Sequence, residues 1–167
     1  NNEKLSENIK NKEKELENAM VDKIKMTLLE LGNGFSFVGN QYRLVIDNED
    51  YFHRKSIYHD AEGNFFKDNG ERAIFFARGV LETVKKLRWA PDVIHCQGWI
   101  SHILPVYLKK AYIDDPIFSE SKIVLSLYDD TPTTDFPADF KDRVLFGGVT
   151  EKDVEILSEP TGINLAK

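Results

Sequence analysis

No apolar run in this sequence approaches the roughly 18–20 residues that a membrane-spanning helix needs, so no membrane partner is expected. Cysteine is nearly absent as well. The one thiol, Cys96, excludes an internal disulfide and leaves too few ligands for a cysteine-based zinc site. Disulfides are mainly an extracellular device. Their absence, with an N-terminal stretch too polar for a secretory signal, leads to the expectation of a cytoplasmic protein. Positive charge is also short. The formal net charge of −6 disfavours tight nucleic-acid binding, because phosphate contacts need clustered Lys and Arg. The one compact basic group, Lys85, Lys86 and Arg88, ends an expected helix, where it complements the helix dipole.

The residues present are those of an ordinary soluble chain, 41% hydrophobic and 30% charged over 167 residues. That length suffices for one domain with a proper core. Leu5, Ile9, Leu16, Met20, Ile24, Leu28 and Leu31 recur at helical spacing, which predicts a long helix over 5–31, stopped by Gly32 and Gly34. Residues 35–38 and 42–46 read as a β-hairpin. The acidic stretch 47–54 reads as a solvated loop. Its Asp47, Glu49 and Asp50 invite a cation, since hard cations favour carboxylates, but the loop reading is preferred. His53 and His59 lack paired ligand spacing, so neither a metal nor a cofactor is expected.

Ile74, Phe75, Ala77, Leu81, Val84 and Leu87 give 70–88 the apolar face of a helix. Pro91 separates it from a short strand at 92–96, a helix follows at about 100–111, and "KIVLSLY" at 122–128 is a second strand. This alternation predicts an α/β fold with parallel strands. Past Asp130 the pattern weakens. "FKDRVLF" reads as a short helix or an extended piece, and "TEKDVEILSEP" as a short helix with Thr150 as N-cap and Asp153 three positions on.

The junction "VIHCQGWI" carries the candidate site. Ligands of parallel α/β sheets usually meet the carboxyl ends of strands, where His95, Gln97 and Trp99 stand. A helix beginning near Ile100 would turn free amides toward an anionic or hydroxyl-rich ligand. Trp99 could stack on a sugar and Gln97 could bond hydroxyls. The alternative is that Trp99 packs the core and Gly98 permits a tight turn. Tyr128 and Asp129 end the second strand near the same crevice and could bond sugar hydroxyls. Cys96, with no evident base partner, reads as a small buried residue rather than a nucleophile.

From about Ile46 onward, "IDNEDYFHRKSIY", "DNGERAIFFARGVLETVKKLRWAPDVIHCQGW", "ILPVYLKK" and "KIVLSLYDD" resemble bacterial glycogen synthase of the starch-synthase type, glycosyltransferase family 5. The resemblance implies part of a Rossmann-like domain, one half of the two-domain GT-B architecture, on the acceptor side. It also implies an activity: glucose transfer from a nucleotide sugar to an α-glucan. The family's opening strand with its "KTGGL"-like loop, and its nucleotide-binding C-terminal domain, are not found in the sequence. Where the family usually has His-Asp-Trp-His, this chain has Gln97, Gly98, Trp99 and Ile100, although some relatives carry "QGW". His102 lies two residues later. Tyr128 and Asp129 stand where the family commonly has His-Asn.

Residues 9–52 carry a second resemblance. "LENAMVDKIKMTLLELGNGFSFVGNQYRLVIDNEDYF" is similar to the opening of the C-terminal domain of the DUF1016, or PDDEXK-type, nuclease family. Such nucleases hold a divalent metal with a strand Asp and a later Glu-x-Lys. Here "HRKSIY", with His53 and Arg54, follows "DYF" and no such motif appears. The two resemblances meet at "DNEDYF", which suggests a fusion.

The expectation is therefore a partial Rossmann-like parallel sheet with flanking helices, preceded by a long helix and a β-hairpin. Residues 1–46 would be the nuclease-like segment and 47–167 the glycogen-synthase-like one. The function expected is that of a truncated glucosyltransferase domain, inactive alone, holding an α-glucan or nucleotide sugar weakly through His95, Gln97, Trp99, Tyr128 and Asp129. A nuclease-derived interaction module, or a non-functional hybrid, is the alternative. Oligomeric state is left open.

Overall fold

The computed structural model describes residues 35–37 and 44–167. The helix expected over 5–31 lies outside the described residues. Two units divide the chain, Asn1–Asn48 and Glu49–Lys167. In the first, β1 (Phe35–Phe37) and β2 (Leu44–Ile46) pair antiparallel, with Phe35 opposite Ile46 and Phe37 opposite Leu44.

The second unit is α/β. It opens on α1 (Glu49–Phe52), one helical turn where a loop was expected. Two causes are visible. Glu49 and Asp50 sit in the first turn, where carboxylates favour the dipole. Tyr51 and Phe52 then rest their rings against Phe75 at 5.2 and 6.0 Å between centroids. Helix α2 (Asn69–Lys86) buries Ala73, Ala77 and Leu81 along one stripe, as the apolar spacing requires. Its last turn carries Lys85 and Lys86, and Lys85 pairs with Asp115 at 3.0 Å. Near its start Gly70 lets the Phe140 ring approach, since a Cβ there would lie 2.7 Å from that ring.

Strands β3 (Val93–Gln97) and β4 (Lys122–Ser126) pair in parallel, Val93 opposite Lys122 and Gln97 opposite Ser126. The crossover between them does not hold the single helix expected over 100–111. A 3-10 turn, Trp99–Ser101, comes first and α3 (Leu104–Lys110) follows. Pro105 explains the break: it has no N–H to donate and is tolerated only in a first helical turn. Beyond β4 come α4 (Phe140–Val144), a 3-10 turn at Glu155–Ser158 and α5 (Gly162–Ala166). The segment from Thr150 is thus not an α-helix. Asp153 instead accepts both the amide and the hydroxyl of Thr150, at 2.9 and 2.8 Å, and closes a turn. Helix α5 was not anticipated. Thr161 caps it by accepting the Asn164 amide at 3.1 Å.

One face of the β3–β4 sheet joins the core. Cys96 is buried, and Ile94 and Ile123 pack against a cluster that includes Leu81, Ile103, Leu104 and Tyr107. At the carboxyl end of the strands the core turns aromatic. Trp99 meets Tyr58, Phe65 and Phe136 at centroid distances of 4.9, 5.7 and 5.8 Å, and Phe136 stacks on Phe140. Each large side chain so buried contributes roughly 1.5–3 kcal/mol relative to exposure. No helix among the described residues is long and apolar enough to cross a membrane.

Candidate functional site

Successive residues of a strand point to opposite faces, and this alternation builds the site. On β3, Ile94 and Cys96 face the core, which leaves Val93, His95 and Gln97 exposed on the other face. The parallel register puts Val124 beside His95 and Ser126 beside Gln97 on that same face. The polar side chains join into one chain of hydrogen bonds. Tyr128 Oη donates to Gln97 Oε1 at 3.4 Å, Gln97 Nε2 meets His95 Nδ1 at 3.2 Å, and His95 Nε2 meets Ser126 Oγ at 2.7 Å. Three of the sequence-predicted residues, His95, Gln97 and Tyr128, are thus brought together by direct contact. Asp129 is exposed, and no hydrogen bond among the described residues joins it to them.

Trp99 is placed differently. Its side chain is 1% exposed, and the rings of Tyr58, Phe65 and Phe136 surround it. A ring so enclosed has no free face for a sugar, so the packing role replaces the stacking role. Ile100, the next residue, is half-buried and packs against the core.

The expected helix N-terminus with free amides is also absent. The Trp99 amide donates to Asp130 Oδ2 at 3.2 Å, and the Ser101 and His102 amides donate to Gly98 and Trp99 carbonyls at 3.0 Å. Asp130, just past β4, therefore ties the turn after β3 to the end of β4. Gly98 makes room for it. Its φ of 75° and ψ of 153° belong to a region nearly confined to glycine, and a Cβ there would lie 3.2 Å from Asp130 Oδ2. Ser101 Oγ adds bonds to the carbonyls of Gln97 and Gly98 at 3.1 and 2.8 Å.

Burial sets the electrostatics around this turn. Cys96 is buried, as expected, and burial pushes its thiol up to about 11, which favours the protonated form. His102 is 4% exposed with neither ring nitrogen hydrogen-bonded. Burial lowers its pKa, and the charge of Asp130 partly offsets that effect. Tyr58 is shifted up, first by burial and then by Asp130, while Arg72 opposes both. Among the described residues no group of three or more His, Cys, Asp or Glu is placed to hold a metal ion.

Sequence reasoning missed Ser126 and Asp130. Ser126 was legible in principle, because period-two alternation puts it on the face of Val124. Asp130 gave no signal, since only the fold brings residue 130 to the amide of residue 99.

The comparisons with known proteins agree with this architecture. The starch synthase catalytic domain family matches residues 3–167, a span that includes the stretch resembling the nuclease family. The glycogen synthase of Clostridium perfringens is 42% identical over 95 residues, 57% of this chain and 18% of that protein. That of Chlorobium limicola is 44% identical over 82 residues, 48% of this chain and 17% of the relative. That of Vibrio parahaemolyticus is 38% identical over 107 residues, 64% and 20% of the respective chains. The matched stretch thus spans about a fifth of the length of these relatives. No solved structure matches. With a parallel strand pair whose carboxyl ends carry a polar constellation, and a family match over nearly its whole length, the chain belongs to the starch synthase catalytic domain family.

Proposed function

We propose that this chain is the acceptor-side part of a glucosyltransferase that moves glucose from a nucleotide sugar to an α-glucan. The carrying observation is the hydrogen-bonded group His95, Gln97, Ser126 and Tyr128 at the carboxyl ends of two parallel strands. These side chains carry both hydrogen-bond donors and acceptors, which suits hydroxyls. Asp129, exposed beside them, is proposed as a further hydroxyl contact. Binding of an α-glucan or nucleotide sugar is weak, because the group lies on an open surface that excludes little water. A cytoplasmic location goes with this reading.

Glucose transfer itself needs donor and acceptor held together in a cleft closed against water. The 167 residues match about a fifth of the relatives' length, and Ile100 offers no polar atom to a sugar. We therefore expect no transfer by these residues alone. A radiolabelled assay with ADP-glucose and UDP-glucose, run beside a glycogen affinity gel, tests both statements. Retardation without label in the glycogen is the expected result. Label above the no-protein control overturns the second statement, and absence of retardation overturns the first. The division at residues 46 and 47, with a nuclease-like first segment, rests on the quoted stretch alone. DNA binding that weakens steeply with salt would support it.

A further inference from the structure

A strand that runs into a helical turn leaves its first amides without partners. The usual remedy is a Ser, Thr, Asp or Asn just before the turn, whose side chain accepts one of them. After β3 that position is Gly98, which has no side chain to offer. The acceptor comes instead from the other strand end. Asp130 Oδ2 lies 3.2 Å from the Trp99 amide nitrogen, 31 residues away along the chain. Gly98 belongs to the same device, because a Cβ there would lie 3.2 Å from that oxygen. The Trp99 ring, buried among three others, fixes its amide to the core. Asp130 is exposed, so the bond serves to hold the segment that carries it.

That segment has little else to hold it to β3. The backbone pairing of the two strands ends at Gln97 and Ser126. Past that point, among the described residues, two hydrogen bonds join 127–130 to the end of β3 and its turn, and side chains make both. The contact of Tyr128 with Gln97 is long, 3.4 Å, and exposed. The contact of Asp130 with the Trp99 amide is partly buried and has a carboxylate acceptor, which makes the stronger kind of bond. The carboxylate also acts on the core beneath it. Burial pushes the Tyr58 phenol up and His102 down, and after burial the charge of Asp130 raises both. Asp130 thus stands over the junction of turn, aromatic cluster and strand end.

We infer that Asp130 is a positioning residue: it caps the turn after β3 from the neighbouring strand, and through that one bond it sets where Tyr128 stands against Gln97. The capping stands on the geometry alone, while its effect on a ligand rests on the proposed function. Two variants of the full chain test it. Asp130→Ala removes the acceptor, and Asp130→Asn keeps an acceptor oxygen without the charge. Because Asp130 is exposed, circular dichroism should not change in either. Hydrogen exchange at the Trp99 amide should quicken about tenfold in Asp130→Ala, the scale of one hydrogen bond, and stay within about twofold of wild type in Asp130→Asn. In nitrogen NMR the Gln97 side-chain amide should move in Asp130→Ala to where Tyr128→Phe puts it, and should hold its place in Asp130→Asn. Unchanged exchange at Trp99 in Asp130→Ala overturns the cap. Equal quickening in both variants assigns the effect to charge and overturns it as well. Quickened exchange with the Gln97 amide unmoved overturns the positioning of Tyr128. Glycogen retardation should fall in Asp130→Ala and survive in Asp130→Asn. If Trp99 and Gln97 respond but no protein is retarded, wild type included, the positioning stands and the glucan reading fails. If they respond and all three proteins are retarded alike, the glucan reading stands and the role of Asp130 in it is overturned.

Discussion

His95 and Cys96 are neighbours on β3, yet they belong to different regions of the molecule. Cys96 is buried, its thiol held protonated by its surroundings. His95 is exposed and bonded only to polar side chains of its own face. On β4 the same split holds at Ile123, which packs against the core, and Val124, which is open. A parallel pair of strands so divided has one face held by packing and one free to vary. The turn after β3 joins the two. Trp99 goes into the core, while its amide reaches Asp130 on the site side.

The largest way to break this division is to remove the anchor of the packed side. Trp99→Ala deletes a ring surrounded by three others, and such truncations cost about 3–5 kcal/mol. Against a usual total of about 5–15 kcal/mol, urea unfolding should show an early, broadened transition or none. A midpoint near wild type would mean that the aromatic cluster does not hold the strand ends.

The turn comes next in size. Gly98→Ala forces a side chain into a backbone region nearly confined to glycine and presses its Cβ toward Asp130. The expected loss is about 1–3 kcal/mol. Because the turn also places Gln97, glycogen retardation should fall in the same variant. Loss of stability with binding intact would separate turn from site.

The packed side was largely legible in the sequence and the turn only in part. Apolar runs at 92–96 and 122–128, bounded by Pro91 and by turn-rich sequence, gave the two strands and their parallel pairing. The helix break at 102–103 follows from Pro105, which the spacing of apolar residues did not weigh. Trp99 shows the limit on the site side. Gln97, Gly98 and Ser101 around it are polar or small and only Ile100 is apolar, so a ligand role was as readable as a core role. Tyr58, Phe65 and Phe136, which enclose it, come from segments tens of residues away. Helix α5 had a local signal, Thr161 with Asn164 three residues on, inside a stretch whose apolar content is too low to announce a helix.

His102 sharpens the comparison by pH. It is buried with both ring nitrogens unpaired, and burial lowers its folded pKa. Above its ordinary value of about 6.5 both folded and unfolded states are neutral, and no stability depends on it. As pH falls below that value, the unfolded chain takes up a proton that the folded chain refuses. Stability therefore drops until the folded value is reached and then levels off. His102→Leu keeps the volume and removes the proton site. The gap between urea midpoints at about pH 7.5 and pH 5 should narrow in this variant. An unchanged gap would assign the acid sensitivity to other groups.

The smallest effect is expected from Val124→Ala, and it is the most exacting test of the two-faced strand. Ile123 and Val124 share one strand, one chain neighbourhood and nearly the same β-propensity. They differ in the face each presents. Ile123 is partly buried and packs against the core, so Ile123→Ala removes partly buried methyl and methylene groups and should cost about 1–2 kcal/mol, below the range for fully buried truncations. Val124 is 45% exposed, so Val124→Ala should stay within about 0.5 kcal/mol of wild type. Glycogen retardation should respond in the opposite sense. Val124 lies beside His95 on the face of the polar line, and its loss should weaken retardation without moving the urea midpoint. Equal stability losses from the two substitutions would show that both faces are packed and that the open surface is not available to a ligand.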